Sequence, residues 1–557
     1  MNRLAPWLLI LLAMGLCAWS LAAAQESPGD QSQASPTPLE MPTPVPVPGE
    51  EEVTPTAETP TPSAEATPVP EATPEPEAMP APEATPLPVQ TRLEGQIAFQ
   101  SAFDTHWDPE QHDVWSNDLY AYLGAAANWG MTYSAVAAGL FEYRWGIGEQ
   151  AHGEAIPEIR KLYGLAHFGP LDLYVGWQIV SWGVVDAVSP MDILNPTDYR
   201  RVIDAELDYS RLATLMVRPV VYAGPVTIDA VYIPFFTPSR YDIVGSDWAL
   251  LGGHFPLNDM VIRLRTDPHW NQFERIVDHY VPEWRNSLQR LLNDPKFFQN
   301  ATDIPNQNLT APEGAVRVSW RTPYLVAHAA YYAMWDDLPT MHVNPAFRDL
   351  YKFSERTDQG FLQLPPLNSL PLEELSDPFR LTHHRVQSVG LGLSGVVHDI
   401  GLRGEGRMDF DRYTYRTDLT AVRRNDATWV LNADYTFRGN FLVEGLLLQG
   451  YLFDREHDFI SRAWQNAVGL IIRRPFFDER VLLEFLGLLD FTYMRDRDWR
   501  RFNLTASGWL VTPLVTYVVT DRLRASVGAN FFGGGDSTLL GQLERNDRVF
   551  ALLRYGF

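Results

Sequence analysis

The sequence has 557 residues, of which 45% are hydrophobic, a single cysteine, and a formal net charge of -25. So acidic a chain offers no basic nucleic-acid face. One cysteine excludes an internal disulfide and a cysteine-ligated metal cluster. No phosphate-binding glycine loop, Cys/His cluster or twelve-residue calcium loop occurs, so neither a cofactor nor a metal is expected.

The chain opens with Arg3, an apolar stretch from Leu4 to Leu21, and Ala22-Ala23-Ala24. A basic start, an apolar run and a small-residue site read as a cleaved secretory signal over residues 1–24. Residues 25–91 form a separate zone in which Pro alternates with Thr, Ala and Glu, with twelve acidic residues and no basic one. Such a composition buries too little apolar surface to offset its ordering entropy, so a disordered, polyproline-rich arm is expected. A plain spacer is one reading. A periplasmic arm that touches peptidoglycan is the other.

From residue 92 the pattern becomes alternating. No later segment reaches the roughly 18 uninterrupted apolar residues of a membrane helix. The stretch Val481 to Phe491, for example, carries Glu484 and Asp490. Instead, Leu171, Leu173, Val175 and Trp177 share one face against Asp172, Gly176 and Gln178; Trp429, Leu431, Ala433, Tyr435 and Phe437 oppose Asn432, Asp434 and Arg438. Alternation with period two predicts strands with one apolar face.

Eighteen strands are predicted, near 93–104, 117–128, 131–145, 158–168, 171–183, 207–222, 225–235, 314–321, 324–335, 383–397, 400–412, 427–438, 441–453, 464–474, 478–494, 507–519, 522–533 and 548–557. Sixteen is the alternative count. Every second connection is tight, as at Trp129-Gly130, Gly169-Pro170, Ala223-Gly224, Thr322-Pro323, Gly439-Asn440 and Thr520-Asp521. The intervening ones are long, above all 184–206, 236–313 and 336–382. Short turns alternating with long loops are the layout of a transmembrane antiparallel up-and-down β-barrel, and only helices or closed barrels satisfy the backbone in lipid. The expected class is therefore all-β, an outer-membrane barrel over 92–557 with its arm in the periplasm. In loop 236–313 the residues Phe273, Ile276, Val277, Tyr280, Trp284, Leu288 and Leu291 follow helical spacing, interrupted at Pro282. A cap on its own loop and a plug in the lumen both fit.

The predicted strand 400–412 decides what faces inward. Arg403, Glu405, Arg407, Asp409 and Asp411 alternate with Leu402, Gly404, Gly406, Met408 and Phe410. An Arg at mid-bilayer costs roughly 2–4 kcal/mol on the lipid face, so the charged row must line the interior. Asp434, Glu444, Arg522 and Arg524 join it as pore-lining residues, together with Asp229, Glu142, Arg144 and Arg317. An eighteen-strand barrel is too wide for side chains alone to fill. Within 183–206, the turn-forming Asn195-Pro196 and the acids Asp186, Asp192 and Asp198 suggest an inward constriction with an acidic rim. An ordinary outer loop competes with it.

Only three of the 44 basic residues are Lys, and Arg495, Arg497, Arg500 and Arg501 suit lipopolysaccharide phosphates bidentately, with a plain solvated loop as the equal alternative. The segment Gly176-Trp177-Gln178-Ile179-Val180-Ser181-Trp182-Gly183, followed by Asn195-Pro196-Thr197-Asp198, resembles a poorly characterised family of proteobacterial outer-membrane, porin-like proteins. Ile233-Pro234-Phe235-Phe236-Thr237-Pro238-Ser239-Arg240 and the ending from Phe532-Gly533 to Phe557, with Gly541-Gln542 and Asn546-Asp547, resemble it too. The resemblance implies an outer-membrane barrel and no known substrate. The aromatic terminus is also similar to the signature by which the barrel-assembly machinery recognises a last strand, which implies that partner for Phe557.

Four functions follow as expectations. The leading one is a channel for small solutes through a charged lumen. Others are a plugged barrel for hydrophobic molecules, supported by Phe361, Leu362, Leu364 and Leu367, and a structural outer-membrane anchor acting through the arm. A hydrolase built on Ser388 with His383 or His384 lacks a third supporting residue. No enzyme is expected, and assembly into a homotrimer stays open.

Overall fold

The computed structural model describes residues 89–106, 114–147, 153–185, 188–201, 209–241, 302–305, 309, 311–345, 379–416, 420–459, 461–493, 506–535 and 538–557. The expected signal, nearly all of the arm, Asp186, the helical pattern of 273–291, the 361–367 cluster and Arg495 to Arg501 lie outside the described residues.

Eighteen strands form one sheet: β1 Gln90–Asp104, β2 Trp115–Trp129, β3 Tyr133–Ile147, β4 Glu154–Phe168, β5 Leu171–Gln178 and β6 Thr214–Ala223. The middle third comprises β7 Val226–Ile233, β8 Glu313–Arg321, β9 Leu325–Trp335, β10 Arg385–Val397, β11 Ile400–Tyr415 and β12 Ala421–Phe437. The last third is β13 Phe441–Leu452, β14 Trp464–Phe476, β15 Val481–Asp490, β16 Gly508–Val518, β17 Leu523–Gly534 and β18 Arg548–Gly556. Each strand pairs antiparallel with the next in the chain, and β18 returns to β1, with Ile97 opposite Tyr555 and Phe103 opposite Val549. The sheet is closed, so no edge is left to pair elsewhere. No described helix is long and apolar enough to cross a membrane.

Connections alternate as expected. Turns of two to four residues join β2–β3, β4–β5, β6–β7, β8–β9, β10–β11, β12–β13, β14–β15 and β16–β17, all at one end of the barrel. The other end, the loop end, carries every longer connection. There a small sheet of Thr302–Asp303, Thr340–Val343 and Phe379–Thr382, unforeseen from the sequence, ties the two longest connections together.

Alternation sorts the side chains by face. On β12, Leu431 is 54% exposed outward while Asn432 is 3% exposed inward. Leu391, Leu393, Val515 and Val527 are likewise exposed on the outer surface. Exposed Trp129, Tyr133, Trp320, Tyr324, Phe437 and Tyr517 mark its turn end, and Trp115, Trp464 and Trp509 its loop end. An apolar band between two aromatic girdles is the outer surface of a transmembrane barrel.

Three strands are markedly shorter than their alternation implies: β15, expected over 478–494, runs only Val481–Asp490, and the other two flank one connection. β5 stops at Gln178, where 183 was expected, and β6 starts at Thr214, where 207 was expected. The described residues between them, 179–185, 188–201 and 209–213, leave the wall and turn inward.

Candidate pore and its inward segment

The first and last described residues of this inward stretch are held together by one side chain. The Oδ1 of Asn195 accepts from the Val180 N–H at 2.7 Å, and its Nδ2 donates to the carbonyls of Gln178 at 2.8 Å and Leu212 at 2.9 Å. Those three backbone groups belong to the exit from β5 and the approach to β6, so Asn195 fastens one to the other. Two residues before that exit stands Gly176, at a position only glycine takes without strain. Its φ is +136°, and a Cβ there would sit 2.2 Å from the carbonyl oxygen of Leu162.

From that base the segment reaches the inner faces of distant strands. The Trp182 indole N–H donates to Asp229 Oδ2 on β7 at 2.9 Å, and Arg317 of β8 donates to the Trp182 carbonyl at 3.2 Å with its guanidinium over the indole ring. Tyr332 of β9 donates its hydroxyl to the Met191 carbonyl at 2.8 Å. Glu405 of β11 accepts the Val184 N–H at 2.6 Å and the Met191 N–H at 3.4 Å, and Arg407 donates to the Pro190 carbonyl at 2.7 Å. Trp182, Met191, Leu194, Met216, Ile233 and Tyr332 close into a buried apolar cluster between segment and wall. At its far end, Tyr209 packs with Ala98, Tyr120, Leu140 and Leu552, from β1, β2, β3 and β18, and its hydroxyl accepts from Gln96. The described residues of the segment thus pack against two separate parts of the wall.

Its acids hold the segment together. Asp192 accepts from the Ser181 hydroxyl at 2.7 Å and the Trp182 N–H at 2.8 Å, and is ion-paired with Arg211. Asp198, fully buried, takes a two-point contact from Arg200 at 2.9 and 2.8 Å. The acidic rim suggested by the sequence therefore consists, at these positions, of carboxylates already engaged by hydrogen bonds and arginines.

The β11 row is inward as far as Asp409. Arg407 grips Asp409 through two bonds of 2.7 Å, and the Ser388 hydroxyl donates to Asp409 at 2.5 Å. Arg403 pairs with Asp434 at 2.9 Å, and Asn432 bonds both Arg403 and Glu444. Asp411 does not continue the row. The β11–β12 register shifts between Asp409 and Arg412, Asp411 sits there at φ +56° with its side chain exposed, and Arg412 takes the inward place, pairing with Asp336 at 3.1 Å. A bulge inserts a residue and reverses the alternation beyond it. Arg522 also departs from expectation: it lies exposed in the β16–β17 turn, while Arg524 is on the inner face of β17. Ser388 and His384 are not paired, since His384 bonds Thr382 and His342 instead.

Sequence reasoning missed Trp182, Arg218, Tyr332 and Arg211 as parts of this assembly. Arg218 of β6 grips Asp229 through two bonds of 2.8 Å and helps present it to Trp182. The available signal was Asp229 at an inward position with a Trp in a nearby strand-like run that never reaches the wall.

No protein-family profile matches the chain, and no curated protein matches it. Among solved structures it is similar to Acinetobacter baumannii OccAB3, at 9% identity and a TM-score of 0.42 over 84% of this chain and 99% of that one. Pseudomonas aeruginosa OccK2 (OpdF), solved in complex with glucuronate, gives 9%, 0.42, 84% and 98%. Salmonella typhi OmpF, in complex with daunomycin, gives 9%, 0.34, 84% and 97%. At these identities and TM-scores the likeness adds nothing to what strand pairing already establishes.

Proposed function

We propose that the chain is an outer-membrane channel that passes small solutes through a charged lumen narrowed by the inward residues 179–185, 188–201 and 209–213. The observation that carries this reading is the inward segment, anchored on Asp229, Arg317, Tyr332, Glu405 and Arg407 inside a closed barrel. A barrel whose outer surface is an apolar band sits in a bilayer. Inside, rows of both charge signs favour water and polar solutes over acyl chains. Its described residues stand against both the β7–β11 wall and the β18–β3 wall and so narrow the passage. Planar-bilayer recordings of the full chain test this. Steady conductance is expected, with a larger unitary value for Glu405→Ala, which unfastens the segment. Silence from both proteins would overturn the channel.

A second reading, a route for hydrophobic molecules, is favoured by one observation. The inward positions of β13 to β16 include Leu446, Leu448, Ile471, Leu486, Leu488 and Leu510, all buried. Uptake of an apolar dye by liposomes holding a silent barrel would support it.

A further inference from the structure

A row of five tyrosines follows the inner face from the inward segment to the turn end. Tyr209 of the segment stacks on Tyr122 of β2 with ring centroids 6.3 Å apart, and Tyr163 of β4 lies 6.0 Å from Tyr174 of β5. Tyr163 also acts electrostatically on Tyr122, and Tyr222 of β6 on Tyr174, so the two pairs join into one row that ends beside the Ala223-Gly224 turn. Tyr209 and Tyr174 are buried, Tyr122 and Tyr163 are half-buried, and Tyr222 is 42% exposed. Their hydroxyls confirm the lumen side: Tyr122 donates to Glu94 at 3.1 Å and Tyr222 to Asp172 at 3.2 Å. The charges along the row are matched. Arg160, over the Tyr209 ring, bonds Glu158 at 2.6 Å, and Arg218, over the Tyr174 ring, grips Asp229. Glu94 pairs with Arg92 at 3.6 Å, and Asp172 stands against the His167 imidazole. Matched pairs give an ion little net field to follow. A paired carboxylate still has acceptor capacity to spare, with about four lone-pair sites.

We propose that this row is a binding path for neutral sugars. A tyrosine ring offers a flat apolar face with negative charge density over it. A pyranose presents C–H groups on its faces and hydroxyls around its rim. Its face therefore lies on Tyr122, Tyr163 or Tyr222 while its hydroxyls donate to Glu94 or Asp172. An open-chain polyol has the hydroxyls without the face. Repetition of the tyrosines favours several linked sugars over one, since each further ring adds a stacking contact. The proposal rests on the channel reading and adds the solute class.

The full chain in planar bilayers is challenged with cellotriose and with sorbitol, a set of linked rings and an open-chain polyol. Cellotriose is expected to interrupt the current at concentrations about tenfold lower, equivalent to roughly 1.4 kcal/mol. Tyr163→Leu and Tyr222→Leu keep apolar bulk and remove the flat face, so each should shrink that ratio, whereas Tyr222→Phe should keep it. Equal block by the two solutes in the unaltered protein overturns the proposal, as does a ratio that survives both leucine substitutions. Block by benzyl alcohol at concentrations as low as those of cellotriose also overturns it and assigns the row to aromatic solutes. If Tyr163→Leu does not fold, Tyr222→Leu at the exposed end is scored by the same ratio. A silent unaltered protein overturns the channel instead, and calorimetric titration of the barrel in a detergent without sugar headgroups then decides the row. Cellotriose binding that is weakened in Tyr222→Leu supports it, and binding that is absent or unchanged in the variant overturns it.

Discussion

Asn195 shows how much of the inward segment hangs on one side chain. Its amide satisfies three backbone groups at the junction of two strands, and each buried polar group left without a partner costs about 1–3 kcal/mol. Asn195→Ala should therefore lower unfolding free energy in detergent by about 2–4 kcal/mol, and single-channel traces should become noisier as the segment loosens. Unchanged stability would mean that water replaces the amide. Gly176→Ala acts through the backbone. At φ +136° a side chain is strained by about 1–3 kcal/mol, and the Cβ meets the Leu162 carbonyl as well. Urea midpoints of the folded barrel should fall accordingly, whereas Gly445→Ala, where a Cβ meets nothing within 4 Å, should be near neutral in the same assay. Neither role was legible beforehand. Asn195-Pro196 announced a turn, but which carbonyls the amide would reach depends on where β6 returns, and that is set by tertiary packing.

At the scale of elements, alternation carried nearly all the information. Strands such as β13 and β17 begin and end within a residue or two of their expected limits, because lipid outside and polar groups inside impose a strict period of two. Alternation failed where that constraint lapses: at the Asp409 bulge, at the inward turn after Gln178, and in the small loop-end sheet. Beside that sheet lies a pH-sensitive pair, His342 within it and His384 just after its last strand. The Nε2 atoms of His342 and His384 lie 3.1 Å apart, and the rings of both touch Tyr413. Burial, then the neighbouring His342, holds His384 down at about 4, and burial lowers His342 as well. An unfolded histidine titrates near 6.5, so the unfolded state binds protons first. The stabilisation is complete above about 6.5 and is lost as pH falls toward about 4. Hydrogen exchange at residues 340–343 and 379–382 should accelerate over that window, and His384→Asn should flatten the response. Exchange independent of pH would remove the histidines from the account.

For the whole molecule, the barrel, its strand number and its two-ended connections were readable because they repeat eighteen times, so local errors average out. The interior was only half readable. Charge signs along β11 gave the face, but some partners of those charges come from the inward segment more than two hundred residues away, such as Glu405 with the Val184 N–H. The resulting lumen is lopsided. The segment grips β7 to β11 and reaches β18 to β3. A selectivity scan should respect that division. Substitutions on β7 to β11 that unfasten the segment should change conductance more than substitutions on β14 to β18.

The seam between β1 and β18 has a kinetic consequence. Every other strand pair joins chain neighbours and can zip locally, whereas Gln96 meets Gly556 only after all the intervening sequence is in place. Until then the sheet has two bare margins, which hydrocarbon tolerates poorly. Closure is therefore a single late event of high contact order. Weakening that seam should lengthen the lifetime of the unclosed intermediate and expose it to proteases, while leaving the finished passage as it was.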